Sequence, residues 1–144
     1  MIRRALLVAL ASFLPLFAFA DTLRTDADLR PFADRVMAGV AGAGLAAGIS
    51  VMRPYVVMPE VELQKALLTL QSQREAYPDR FGKTVGFEFI GQKKLGESLV
   101  RLAYIEKTER RALPWLFHFY RTRNGWVLES FLCNDQASQL FILQ

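Results

Sequence analysis

Cysteine and histidine are almost absent from this chain. Among its 144 residues there is one of each, Cys133 and His118. A lone cysteine excludes an intramolecular disulfide, so packing must supply the stability. Cys133 reads as a buried, inert thiol, with an intermolecular disulfide or a reactive thiol as the alternatives. One histidine and one cysteine make no zinc spacing, so neither a metal nor another cofactor is expected. No nucleophile-elbow signature surrounds His118. A phosphate-cradling loop is lacking too: residues 39–48 are glycine-rich, but they follow no strand and contain no lysine. No basic stripe interleaves with aromatics, which argues against a nucleic-acid partner. Residues 36–52 carry no charge. That run, with its Gly44-x-x-x-Gly48 pattern, is too short and too rich in glycine and alanine to span a bilayer. It reads as a helix end, a turn and a tightly packed connection, with membrane association as the alternative.

The N-terminus has the pattern of an export signal. Arg3 and Arg4 precede an apolar run over residues 5–17, and Ala18-Phe19-Ala20 offers an A-x-A cleavage site. Residues 1–20 are therefore expected to be a signal peptide and residues 21–144 one domain, periplasmic or secreted. An uncleaved anchor is the competing reading, against which the apolar run is short. Cleavage leaves 16 basic residues against 14 acids, a formal charge of +2, so the basic character of the whole chain owes much to the leader.

Two helices are legible next. Thr25-Asp26-Ala27-Asp28 forms an acidic cap, and Leu29, Phe32, Ala33, Val36, Met37 and Val40 recur at helical spacing. Met58-Pro59-Glu60 opens a second helix, with Leu63, Ala66, Leu67 and Leu70 as its apolar stripe. Pro78 ends it, and Phe81-Gly82 turns the chain. The C-terminal Leu140-Phe141-Ile142-Leu143 is expected to dock on the body.

The organising stretch is residues 85–135, which reads as four consecutive antiparallel strands. Val85-Gly86-Phe87-Glu88-Phe89 alternates with period two, and residues 91–96 read as a polar loop. Residues 97–107 form the second strand, and Pro114 opens the third. Asn124-Gly125 suits a type I′ hairpin turn. That turn places Arg123 opposite Trp126, Tyr120 opposite Glu129, His118 opposite Phe131 and Leu116 opposite Cys133. Sorted by parity, one face holds Val85, Phe87, Phe89, Val100, Leu102, Tyr104, Phe117, Phe119, Leu128 and Leu132 and should be the core side. The other mixes Glu88, Arg101, His118, Tyr120 and Glu129 with Leu99, Val127 and Phe131.

The mixed face supports three readings. Glu88, His118, Tyr120 and Glu129 are candidates for acid–base work, with Arg101 expected near Glu88. They equally make a structural set of cross-strand pairs. As a third reading, Glu88, Leu99, Arg101, His118, Tyr120, Val127, Glu129 and Phe131 form an interface, a homodimer being the simplest case. On the core side Phe87, Phe89, Tyr104, Trp115 and Phe117 are the candidate lining of a pocket for a small apolar ligand, with ordinary core packing as the alternative.

Gly86-Phe87-Glu88-Phe89-Ile90, the stretch Gly96-Glu97-Ser98-Leu99-Val100-Arg101-Leu102-Ala103-Tyr104, and Trp115-Leu116-Phe117-His118-Phe119-Tyr120 followed by Asn124-Gly125-Trp126 carry a resemblance. In this order, after two helices, the chain resembles the NTF2-like (SnoaL-like, cystatin-like α+β) superfamily, in particular small exported bacterial members. The resemblance implies an α+β fold, two N-terminal helices packed on a curved four-stranded meander forming a cone. Catalytic members of that superfamily place an Asp–His or Asp–Tyr set inside the cone. The core-facing positions here offer Tyr104 and serines but no acid, so catalysis is not carried over and no catalytic residue is assigned. The expectation is an exported, non-catalytic binding or protein-interaction module. The alternative is a small-molecule enzyme, isomerase- or hydrolase-like, with acid–base residues in the cone.

Overall fold

A computed structural model describes residues 20–142. The expected signal peptide lies almost wholly outside the described residues, as do the last two positions. After a 3-10 turn at Asp26–Asp28 come α1 (Leu29–Ala43), α2 (Leu45–Met52), α3 (Glu60–Ala76) and the single turn α4 (Pro78–Phe81). Four strands follow, β1 (Thr84–Leu95), β2 (Leu99–Thr108), β3 (Ala112–Thr122) and β4 (Gly125–Cys133), then a short α5 (Gln139–Ile142). The fold is α+β, and its sheet is an antiparallel meander in the order β1-β2-β3-β4 that does not close on itself. Among the described residues no helix is long and apolar enough to cross a membrane.

The two expected helices, α1 and α3, form where their apolar spacing predicts, and α2 takes the place of the expected turn and connection. Thr25 and Asp28 form a capping box on the 3-10 turn that leads into α1, whose six expected stripe residues are all buried. The uncharged run folds into the end of α1 and the whole of α2. These two helices touch through glycines: a Cβ on Gly48 would lie 2.3 Å from the Val40 side chain, and one on Gly39 would lie 3.1 Å from the Gly48 nitrogen. The close contact is therefore Gly39 with Gly48, not a Gly44-x-x-x-Gly48 surface. In α3, Leu63 and Leu67 are buried, with Ala66 and Leu70 partly so. The core joins these stripes to Val100, Leu102, Tyr104, Trp115, Phe117, Phe119 and Leu128 on one sheet face.

The chain before α1 and the loop after α2 lie along the free edge of β4. Leu23 exchanges two main-chain hydrogen bonds with Trp126, and Leu128 bonds Tyr55 and Val57. That edge is thereby covered. Of the tail, Leu140 docks while Phe141 is 84% exposed.

The strand order is as expected; the register is not. Thr122 pairs with Gly125, Arg121 with Trp126 and Tyr120 with Val127. The reason is conformational. A type I′ turn needs positive φ at two central residues, but only glycines have positive φ among the described residues, and Gly125 at φ 136° is the one in this turn. The loop is therefore Arg123-Asn124. A bulge at Glu129 then shifts the pairing by one residue, giving His118↔Ser130, Phe117↔Phe131, Leu116↔Leu132 and Trp115↔Cys133. A one-residue shift exchanges faces. Phe131 consequently stands on the core side, stacked 6.3 Å from Trp115, and Leu132 is 45% exposed. Cys133 moves to the core side as well.

β1 also differs. It runs on to Leu95, so the polar segment after Gly91 is strand paired to β2 and not a loop. Bulges fall at Val85 and Ile90. Val85, expected in the core, is the extra residue of its bulge and is 65% exposed.

Candidate functional site

Among the described residues, Glu106 is the one fully buried charged side chain. It stands on β2 two residues beyond Tyr104, on the same face. This is the acid that core-facing parity was expected to lack. Four donors reach it. Arg74 Nη1 donates to Oε1 at 2.8 Å and Nη2 to Oε2 at 2.6 Å. Thr84 Oγ1 donates to Oε1 at 2.6 Å, and Trp115 Nε1 to Oε2 at 2.8 Å. A carboxylate offers about four lone-pair sites, so both oxygens are saturated.

Local structure explains each partner. Arg74 continues the Leu63, Leu67, Leu70 stripe into the last turn of α3, where a cation also suits the negative helix end. The bulge at Val85 aims Thr84 at the same side as Phe87, whose strand partner is Glu106. Trp115 pairs with Tyr104, which makes it the diagonal neighbour of Glu106.

Burial pushes the Glu106 carboxyl up, but the bonds and charge of Arg74, with Thr84 and Trp115, pull it further down, and the result lies below the ordinary glutamate value. Burial likewise opposes the Arg74 charge, and Glu106 overcomes it, raising that pKa. Glu106 is thus an ionised carboxylate at neutral pH. Its folded pKa is depressed, so its stabilisation is full above the unfolded value of about 4.5 and falls away as pH drops through the folded value. Acid unfolding followed by circular dichroism checks this: a Glu106→Gln variant should lose less stability below pH 4.5 than the parent.

Next to this pair, a cleft of about 360 Å³ opens between α3, α4, the start of β3 and the end of β4. Leu70, Phe81 and Leu113 supply apolar wall, with Tyr77 at the side. Arg74, Arg80 and Asp135 supply charge, and Arg80 pairs with Asp135 across the mouth. Cys133 also borders it, 3.9 Å from Arg74 Nη2. Burial pushes that thiol up to about 12, so at neutral pH it is a thiol and not a nucleophilic thiolate.

The expected aromatic pocket residues pack on one another. Ring centroids lie 5.2 Å apart for Phe89 and Tyr104, 5.7 Å for Tyr104 and Phe117, 6.0 Å for Trp115 and Phe117, and 6.3 Å for Phe87 and Tyr104. Tyr104 does find an acid, from α1: its hydroxyl donates to Asp34 Oδ1 at 2.7 Å. Burial and that bond raise the phenol pKa, which keeps it a donor.

Of the mixed face, the sheet brings together only part. Leu99 stands opposite Tyr120 and Arg101 opposite His118. Glu129 joins Leu99, Arg101 and His118 around a hollow of about 180 Å³. Burial, then Arg101, lowers the His118 pKa against the opposing pull of Glu129. Ser130 Oγ lies 3.3 Å from its Nδ1. Glu88 is elsewhere, opposite Ile105, and the strand partner of Arg101 is Lys93. Tyr120 faces Val127 and not Glu129, Val127 is buried, and Phe131 belongs to the other face. Among the described residues no group of three or more His, Cys, Asp or Glu side chains is placed to hold a metal.

No family model matches the chain, and a search of curated proteins finds no significant relative. The site must therefore be read from its own chemistry.

Proposed function

We propose that this is a non-catalytic binding module whose ligand site is the cleft beside Arg74 and Glu106. The observation that carries the reading is the saturation of Glu106 by four donors. A general base needs a free lone pair and a pKa near the working pH; this carboxylate has neither. Its geometry instead fixes Arg74, with Thr84 and Trp115 behind it on the same carboxylate, at the wall of a cleft whose volume falls in the range of small-molecule sites. An exported, NTF2-like protein with a curved sheet is the setting we propose for this module. The export pattern at residues 1–20 and the helices-then-meander order support it.

Native mass spectrometry of natively purified protein tests the reading. The expected result is a small added mass, lost in a Gln73→Trp variant that fills the cleft while the melting temperature holds. Absence of added mass, or its persistence in that variant, overturns the reading. The same spectrum tests a homodimer through the outer face, which the exposed Leu95, Leu99 and Tyr120 beside the opposite charges of Arg101 and Glu129 favour.

One observation favours the enzyme alternative, the Asp34–Tyr104 pair. Asp34 also faces Arg30 across 3.9 Å, an exposed and weak ion pair. Tyr104→Phe separates the two readings: lost stability with unchanged ligand retention fits a structural pair, and lost turnover at constant stability fits catalysis.

A further inference from the structure

We infer, resting on the cleft as the ligand site, that its ligand is a small amphipathic organic acid carrying one negative charge. Leu70, Phe81 and Leu113 form a surface for a single ring or short acyl chain, bounded by the Tyr77 ring. Burying such a group there removes apolar area from water on both partners.

Charged groups border the same cleft. Arg74 is occupied by Glu106, and Arg80 by Asp135. Arg111 donates to the main-chain oxygen of Asp135 at 3.4 Å, and Arg110 donates to that of Asp79. Among the described residues, neither Arg110 nor Arg111 has a carboxylate within ion-pair distance. Arg74, Arg80 and Arg111 thus stand against Glu106 and Asp135, an excess of one positive charge, while Arg110 offsets Asp79 beside it. That suits a monoanion and disfavours a phosphate dianion, which would leave a net negative site.

Arg80 is the cation free to change partners. Its pair with Asp135 is solvent-exposed, with side-chain exposures of 45% and 32%, and exposed pairs contribute little. Arg74 is not free, because releasing it strands the buried Glu106. The ligand carboxylate therefore sits on Arg80, with Arg111 beside it, while the apolar body lies against Leu113 and Phe81. Planar guanidinium groups suit carboxylates for the same geometric reason.

The test titrates the full chain with two probes of matched size, 3-phenylpropionate and 3-phenylpropan-1-ol, following amide signals by 15N–1H NMR. The expected result is saturable shifts at Phe81, Leu113 and Asp135, with the carboxylate at least about tenfold tighter than the alcohol. Arg80→Gln should bring the carboxylate to the alcohol's affinity and leave the alcohol unchanged. Equal affinity of the two probes for the parent protein overturns the anionic ligand class while the cleft stands as a site. An Arg80→Gln variant that keeps the difference overturns the assigned role of Arg80. If neither probe shifts the cleft amides, the binding-site reading falls with the inference.

Discussion

Replacing Arg74 by alanine should lower the folding free energy by about 3–5 kcal/mol, because it leaves the fully buried Glu106 carboxylate without its counter-ion. For a domain of this size that corresponds to a fall of about 10–20 °C in melting temperature. The effect is set by the charge left behind and not by the contact removed. Glu106→Gln in the Arg74→Ala background should therefore recover much of the loss, since a neutral amide can accept from Trp115 through its oxygen and donate to the Thr84 hydroxyl through its nitrogen. Thermal melts of the two single variants and the double would show this strong non-additivity. Additive losses would mean that the pair is not coupled as its geometry requires.

The second large effect belongs to Gly125. Its φ of 136° is a conformation that residues with a side chain rarely adopt, and a Cβ there would lie 2.5 Å from the Leu23 main-chain oxygen. Gly125→Ala should cost about 1–3 kcal/mol in backbone strain alone. It should also displace the Leu23 segment from the β4 edge. Hydrogen exchange reads the second consequence directly: the Leu23 and Trp126 amides, which bond each other's carbonyls, should lose protection before the core of β3 does. Unchanged exchange at these two amides would contradict the close approach.

These two positions also show where reading the chain alone succeeds and fails. The stripe from Leu29 to Val40 was legible because one apolar side dictates both helix and burial. The order of the four strands was legible because each alternates and short connections force neighbours together. The faces were only partly legible. Asn-Gly marks a hairpin correctly, yet the dipeptide does not say which two residues form the loop, and the segment that packs on this turn is remote, Thr22 bonding the Asn124 carbonyl from 102 residues away. Bulges at Val85, Ile90 and Glu129 carry no local signature here, and each moves side chains to the opposite face. Hence Phe131 and Leu132 exchanged places, and Val85 left the core.

Glu106 had a signal. The alternation Val100, Leu102, Tyr104 extends one step to Glu106, and the stripe Leu63, Leu67, Leu70 extends to Arg74. A charged residue on each of two apolar stripes is the mark of a buried pair, but neither stripe names the other. Their meeting spans 32 residues and depends on how α3 crosses the sheet. Thr84 entered the site only through the bulge that follows it.

On the proposed reading, Glu106 is a fixed, ionised anchor for a binding cleft and not an acid–base catalyst. A 13C NMR titration of the glutamate side-chain carboxyls tests it most directly. Glu106 should titrate below the ordinary glutamate value of 4.5 and stay ionised through neutrality. A Glu106 carboxyl that titrates near neutral pH would contradict it and would return the buried acid to the list of proton-transfer groups.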